Sequence, residues 1–236
     1  MTSRPAVGVA NLSVTYPDGR LALDDVTFSV EAGRSVAVLG ANGAGKSTLL
    51  SALVGILPSK GVIRFGGTIL SNATLREIRR KVQLVFQDPD DQLFMPLVRD
   101  DVAFGPLNFG VPRSEVPQLV ERSLEAVGLS GFGDRAPHKL SLGERKRAAI
   151  AAVVACAPEV LLLDEPSAGL DAPGRRQLIG LLKALDATKL VATHDLALAE
   201  ELCSEAVVLK AGRLAAAGPI DALLSDGDLL MECGLR

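Results

Sequence analysis

Gly40, Ala41, Asn42, Gly43, Ala44, Gly45, Lys46, Ser47 and Thr48 follow one another in the pattern GxxxxGK[ST]. Those residue types suit one kind of chemistry. Glycines let backbone N–H groups close around phosphates, and a helix opening at Lys46 adds the positive potential of its N-terminus. Lys46 can reach β- and γ-phosphates, and the Ser47 hydroxyl can ligate Mg²⁺. An ordinary turn before a helix needs one or two glycines, not three followed by Lys-Ser-Thr. A magnesium site also wants a carboxylate at the end of a neighbouring strand. The apolar run Val160–Leu163 ends in Asp164 and Glu165. Asp164 is placed to hold Mg²⁺ through water, and Glu165 to polarise an attacking water.

Other residues carry weaker signals. Ser141 and Glu144 form an S-x-x-E capping box, which is a sufficient structural reason for both. His194 stands at a strand end in Thr-His-Asp, and a lone histidine is usually structural. Tyr16, the only tyrosine, precedes a Pro17-Asp18-Gly19 turn. The stretch Gln87 to Leu97 begins with a glutamine, acids and a proline, and then presents Leu93, Phe94, Met95 and Leu97. A turn accounts for the acids and proline but not for the apolar cluster behind them.

The elements that must position these residues are legible from periodicity. Ser35–Leu39, Val160–Leu163 and Leu190–Thr193 are short and apolar throughout, as strands buried on both faces of a parallel sheet should be. Val7–Tyr16 and Val26–Val30 read as half-buried strands. Val82–Phe86 reads as another strand, and Ala206–Leu209 with Arg213–Ala217 as a hairpin around Ala211-Gly212. Helical patterns cover 46–54, 116–127, 142–157, 173–185 and 196–203. Strands alternating with helices give an α/β fold, and the strand-poor stretch of about 88–158 reads as an inserted helical subdomain.

The 236 residues can bury a sizeable core. A net charge of −3 gives no footprint for nucleic acid. The three cysteines are widely spaced, with no CxxC pair, and read as reduced thiols. The N-terminus has no apolar segment of the signal-peptide kind. The longest apolar run, 148–158, is about half of the roughly 20 residues a membrane span needs, so work at a membrane requires a partner.

Taken together, 40–48, Gln87, Leu140-Ser-Leu-Gly-Glu144, Asp164-Glu165, Ser167-Ala-Gly-Leu-Asp171 and His194 stand in the order and approximate spacing of the ATP-binding cassette (ABC) ATPases. The chain resembles that family over nearly its whole length. The resemblance implies one ABC domain over 1–236: a P-loop NTPase core with an N-terminal antiparallel β part and the helical insertion. It implies ATP and Mg²⁺ as cofactors. It also implies roles. Tyr16 would stack on adenine, and Gln87 would touch Mg²⁺ and water. Glu165 and His194 would be catalytic, with His194 contacting the γ-phosphate. Ser141 and Gly143, with Glu144 beside them, would meet the γ-phosphate held by a second copy, and Asp171 would lie in the loop crossing that dimer. The family signature reads Leu-Ser-Gly-Gly-Gln; here Leu142 replaces the first glycine and Glu144 the glutamine.

Within the family, Gln87-Asp-Pro-Asp-Asp-Gln-Leu93 and Val102-Ala-Phe-Gly-Pro-Leu107 resemble the ATPases of energy-coupling-factor (ECF) importers, especially the cobalt and nickel branch. That narrower likeness implies transmembrane subunits docking near Gln87–Leu97, with Leu93, Phe94, Met95 and Leu97 as contact residues. It further implies a peripheral position on the cytoplasmic face of the membrane, and a homodimer ahead of a heterodimer. Two competitors stay open: the ATPase of an ECF vitamin importer, and a soluble ABC ATPase outside transport. Against the second stand a single cassette and the absence of a heptad run. Intact Glu165 and His194 argue against a nucleotide-binding regulator without turnover.

Overall fold

The computed structural model describes residues 5–235. In chain order its strands are β1 (Val7–Thr15), β2 (Leu21–Val30), β3 (Ser35–Leu39), β4 (Lys60–Phe65), β5 (Thr68–Ile69), β6 (Val82–Val85), β7 (Val160–Asp164), β8 (Thr188–Thr193), β9 (Glu205–Lys210) and β10 (Arg213–Pro219). Its α-helices are α1 (Lys46–Leu53), α2 (Leu75–Lys81), α3 (Val98–Asn108), α4 (Val116–Ala126), α5 (Leu142–Val154), α6 (Ala172–Ala184), α7 (Leu196–Leu202), α8 (Ile220–Ser225) and α9 (Gly227–Glu232). The described residues fall into two compact units. One runs to Leu84 and takes in Glu159–Glu165 and everything from Asp186; the other holds Val85–Pro158 and Pro166–Leu185.

The first unit carries the sheets. Four strands in the order β2-β1-β4-β5 pair antiparallel. Six strands form a second sheet in the order β10-β9-β3-β8-β7-β6. Its centre is parallel: β3 pairs with β8 and β9, and β7 with β8. Every residue of β7 and β8 is buried, which is why their centres, Val160–Leu163 and 190–192, read as apolar runs rather than alternating ones, although Thr188, Lys189 and Thr193 of β8 are buried as well. The register aligns Leu39 with Thr193 and Asp164 with Ala192. The carboxyl ends of β3, β8 and β7 therefore lie side by side, at the edge where open α/β sheets place their ligands.

The second unit is helical. It holds α3, α4, α5 and α6, with a 3₁₀ turn at Pro89–Asp91 before α3 and another at Pro137–Lys139 before α5. α5 ends at Val154, three residues short of the expected boundary, and Ala157 takes a left-handed φ of 48°. Cys156, Cys203 and Cys233 are free thiols. Burial pushes the Cys156 thiol up to about 11 and the Cys203 thiol up to about 12, so neither is a thiolate near neutral pH.

Candidate functional site

The loop between β3 and α1 is built for close approach by an anion. Gly45 precedes α1 at a φ of 107°. A side chain there would be strained, and its Cβ would meet Leu23 Cδ2 at 2.8 Å and the Ala22 carbonyl oxygen at 3.0 Å. Gly43, at a φ of 80°, faces open space: a Cβ there would meet nothing within 4 Å. No side chain caps the start of α1, which leaves that end to the loop and to whatever binds it.

Lys46 is buried and folded back. Its Nζ donates to the carbonyls of Gly40 at 2.7 Å and Ala41 at 3.2 Å, and lies 3.4 Å from Glu165 Oε1. Glu165 is only 5 % exposed, so its carboxylate needs partners, and it has them. Thr193 Oγ1 donates to Oε2 at 3.1 Å, and His194 Nδ1 lies 2.8 Å from Oε1. The His194 side chain is 56 % exposed, joining the buried acid to solvent. Asp164, also buried, ends β7 immediately before it. Three sequence segments far apart in the chain thus deliver an ammonium, two carboxylates and an imidazole to one sheet edge. Thr193, which sequence reasoning passed over, is the residue that orients the glutamate from behind. Its signal was only its place beside His194 at a strand end.

Tyr16 lies just past β1. Its hydroxyl is 2.8 Å from Thr48 Oγ1 in α1, and the Arg20 guanidinium sits 4.8 Å above the ring centroid. Neither contact was expected. Both follow from the Pro17-Asp18-Gly19 turn, which is tight enough for Tyr16 N–H to donate to the Arg20 carbonyl at 2.9 Å.

The remaining predicted residues belong to the helical unit. Ser141 caps α5: Ser141 Oγ accepts from Glu144 N–H at 3.3 Å, and Glu144 Oε2 accepts from Ser141 N–H at 2.7 Å. The backbone N–H of Ser141 holds the Glu144 carboxyl below the usual glutamate range. Gly143 is half-buried in the first turn. Asp171 caps α6, its Oδ1 accepting from Gly174 N–H at 2.8 Å. Gln87 is exposed just past β6.

The apolar loop needs a correction. Leu93, expected as a contact residue, is 7 % exposed and belongs to the core of the helical unit. The 3₁₀ turn at Pro89–Asp91 reverses the chain, with Leu93 N–H donating to the Pro89 carbonyl at 2.9 Å. That turn sends Leu93 inward and leaves Phe94 61 % exposed. Met95 and Leu97 are half-buried. The Phe94 ring meets Phe104 of α3 edge to face, centroids 5.0 Å apart, and Phe104 and Leu107 are exposed as well. Asp101 fixes the turn from below, its Oδ1 accepting the N–H groups of Phe94 and Met95, each at 3.0 Å. Burial raises the Asp101 carboxyl above its ordinary range, and those two N–H groups pull the other way.

With a parallel sheet edge carrying a glycine-rich phosphate loop, a buried lysine and a glutamate–histidine pair, the fold and site define a nucleoside-triphosphate hydrolase. The family comparison narrows this: residues 23–168 match the model of the ABC transporter family, and the chain belongs to that family. It is the ATP-binding subunit of an ABC transporter, an ATPase whose hydrolysis is coupled to transport. The cobalt import ATP-binding protein CbiO of Rhodobacter capsulatus is 47 % identical, with 98 % of this chain and 85 % of that protein covered. The energy-coupling factor transporter ATP-binding protein EcfA of Carboxydothermus hydrogenoformans is 46 % identical, with 98 % of this chain and 87 % of that protein covered. Among solved structures, cbiO1 of Clostridium perfringens, part of the ABC transporter complex cbiONQ, superposes with a TM-score of 0.84 at 36 % identity, covering 99 % of this chain and 96 % of that one.

Proposed function

We propose that this chain is the ATP-hydrolysing subunit of an ECF-type importer that takes up cobalt or nickel ions, and that its two units work as one ABC domain. The observation that carries the hydrolytic part is the buried Glu165 carboxylate, oriented by Thr193 and His194 beside Lys46. A carboxylate so held can accept a proton from an attacking water without swinging away. His194 links it to the solvent side, where the γ-phosphate would sit. Lys46 exchanges the carbonyls of Gly40 and Ala41 for phosphate oxygens, and the N–H groups of 40–48 close around the rest. Tyr16 offers its ring to adenine.

Mg²⁺ neutralises charge on the β- and γ-phosphates when bound. Ser47 and Asp164 fit it, since a hydroxyl and a carboxylate are the hard oxygen donors this ion takes when phosphates supply the others. Gln87 keeps the magnesium and water role that the family likeness gives it. Ser141, Gly143 and Glu144, at the start of α5, with Asp171 at the start of α6, would serve a second copy of the chain. Among the described residues no helix is long and apolar enough to cross a membrane. Transmembrane subunits would dock on the exposed Phe94, Phe104 and Leu107, holding the chain at the cytoplasmic face. The names of the CbiO and EcfA relatives support the ECF reading, and the CbiO name the metal ion. The test is co-purification from detergent-solubilised membranes, followed by ATP-dependent uptake of radioactive cobalt or nickel into vesicles bearing the complex. Uptake of a vitamin instead, or no membrane partner, would refute the metal-import reading.

A further inference from the structure

The turn between β9 and β10 touches two other parts of the unit that carries the sheets. Ala211 and Gly212 fill it, at φ of 48° and 80°. Two successive positive φ values are what a two-residue hairpin of type I′ needs. Gly212 is buried, and the two peptide groups flanking its Cα reach different neighbours. Its N–H donates to the Ala44 carbonyl of the phosphate loop at 3.0 Å, and its carbonyl accepts from the Asp24 N–H of β2 at 2.9 Å. A Cβ on Gly212 would come within 2.5 Å of the Ala22 carbonyl oxygen, which is backbone and cannot swing aside. Arg213 braces the turn from outside: its Nε and Nη2 donate to Asp24 Oδ2 at 2.9 and 2.5 Å. The start of the phosphate loop is as close to the same hairpin, since a Cβ on Gly40 would meet the Leu209 carbonyl oxygen at 2.7 Å. From Asp24 the chain leads to Tyr16. Asp24 follows Leu23, which pairs with Val14, two residues before that tyrosine. A hairpin that had only to close would need no contact with either β2 or the loop.

We propose that Gly212, with the Asp24–Arg213 pair that braces it, is a positioning element for ATP. It sets the spacing between the phosphate loop and the strands that carry Tyr16, so that one nucleotide spans both. The proposal rests on reading the phosphate loop and Tyr16 as the two ends of the nucleotide site.

The experiment uses the full chain with Arg213→Met, Asp24→Ala, the two combined, and each single change in the Tyr16→Ala background. Melting temperature is measured, and calorimetry gives Kd for ATP and for inorganic tripolyphosphate. Lys46→Ala is the control for the phosphate loop. Each single change should raise the ATP Kd by about two- to fivefold, the scale of an exposed ion pair. The combined change should raise it little further, because the two side chains act as one unit. Tripolyphosphate, which occupies only one end, should bind within about 1.5-fold of wild type, and in the Tyr16→Ala background either change should cost ATP no more than that. The two changes shift net charge in opposite directions, so a long-range effect of charge on the phosphates would move Kd up in one and down in the other. Unchanged ATP Kd in folded Arg213→Met and Asp24→Ala proteins overturns the proposal, whatever their melting temperatures. So do shifts of opposite sign, an equal loss for tripolyphosphate, or an undiminished loss in the Tyr16→Ala background. Wild-type ATP affinity in Lys46→Ala or in Tyr16→Ala alone overturns the reading of the site on which the proposal rests.

Discussion

Replacing Tyr16 separates two jobs that one side chain performs. The ring is the candidate adenine platform, and the hydroxyl bonds to Thr48 Oγ1 at 2.8 Å. Thr48 is buried, so Tyr16→Phe strands its hydroxyl in a place water does not readily reach. An unsatisfied buried hydroxyl costs about 1–3 kcal/mol, and for a chain of this size each kcal/mol lowers Tm by about 2–4 °C. The ring survives in that variant, so ATP affinity should change little. Tyr16→Ala removes the ring too. Losing an aromatic platform under a base costs about 1–3 kcal/mol of binding, which is roughly a five- to 150-fold rise in Kd. It also removes the Arg20 cation–π contact, at about 0.5–1 kcal/mol for an exposed pair. The assay is thermal unfolding without nucleotide alongside ATP titration by calorimetry. The expected pattern is lower Tm in both variants and weaker ATP binding only in Tyr16→Ala. Equal losses of ATP affinity in both would refute stacking and point to the hydroxyl.

Three further outcomes follow from the same geometry. Glu165→Gln should bind ATP, dimerise with ATP and Mg²⁺ in size-exclusion chromatography, and lose about a hundred- to ten-thousandfold in turnover, whereas Lys46→Ala should lose ATP affinity itself. Phe94→Asp should keep its melting temperature and lose membrane-subunit co-purification, because Phe94 is exposed; Leu93→Asp buries an unpaired charge and should lower the melting temperature or prevent folding. The Glu144 carboxyl is held below its ordinary range by the Ser141 N–H, so its stabilising effect is fully present above the unfolded-state pKa and is lost as pH falls through the folded-state one. Urea unfolding should therefore show a gap between wild type and Glu144→Ala at neutral pH, of about 1 kcal/mol or less for an exposed cap, closing in acid.

The parallel strands and the phosphate loop were legible because their sequence signal is local. β7 and β8 are buried throughout, and a strand buried on both faces is mostly apolar; Lys189 at the start of β8 is the exception that kept the first two residues of that strand out of the sequence reading. β4 was not legible: Lys60–Phe65 is exposed at four of six positions, and its register is set by pairing with β1 across the sheet. α3 was hidden by Gly105 and Pro106 in its second half, residues that argue against a helix interior. Gly105 is explained by packing, since a Cβ there would come within 2.5 Å of Cys156 Sγ. No local rule announces a contact of that kind.

The site divides in the same way. Asp164, Glu165 and His194 stand at a strand end or just past one, where strand register brings them together, and Lys46 opens the helix that follows the loop after β3. Leu93 and Phe94 cannot be told apart by composition, because adjacent apolar residues after a turn point in opposite directions, and the turn decides which goes in. Here that decision belongs to the 3₁₀ turn at Pro89–Asp91 and to Asp101, whose carboxylate takes the N–H groups of Phe94 and Met95. Burying that acid raises its pKa, a desolvation cost that the two N–H groups work against. The helical unit carries that burden at the residue that turns Phe94 outward. A turn serving only to pack the unit would have no need of a buried carboxyl group, and would not leave the larger of two neighbouring apolar side chains in solvent.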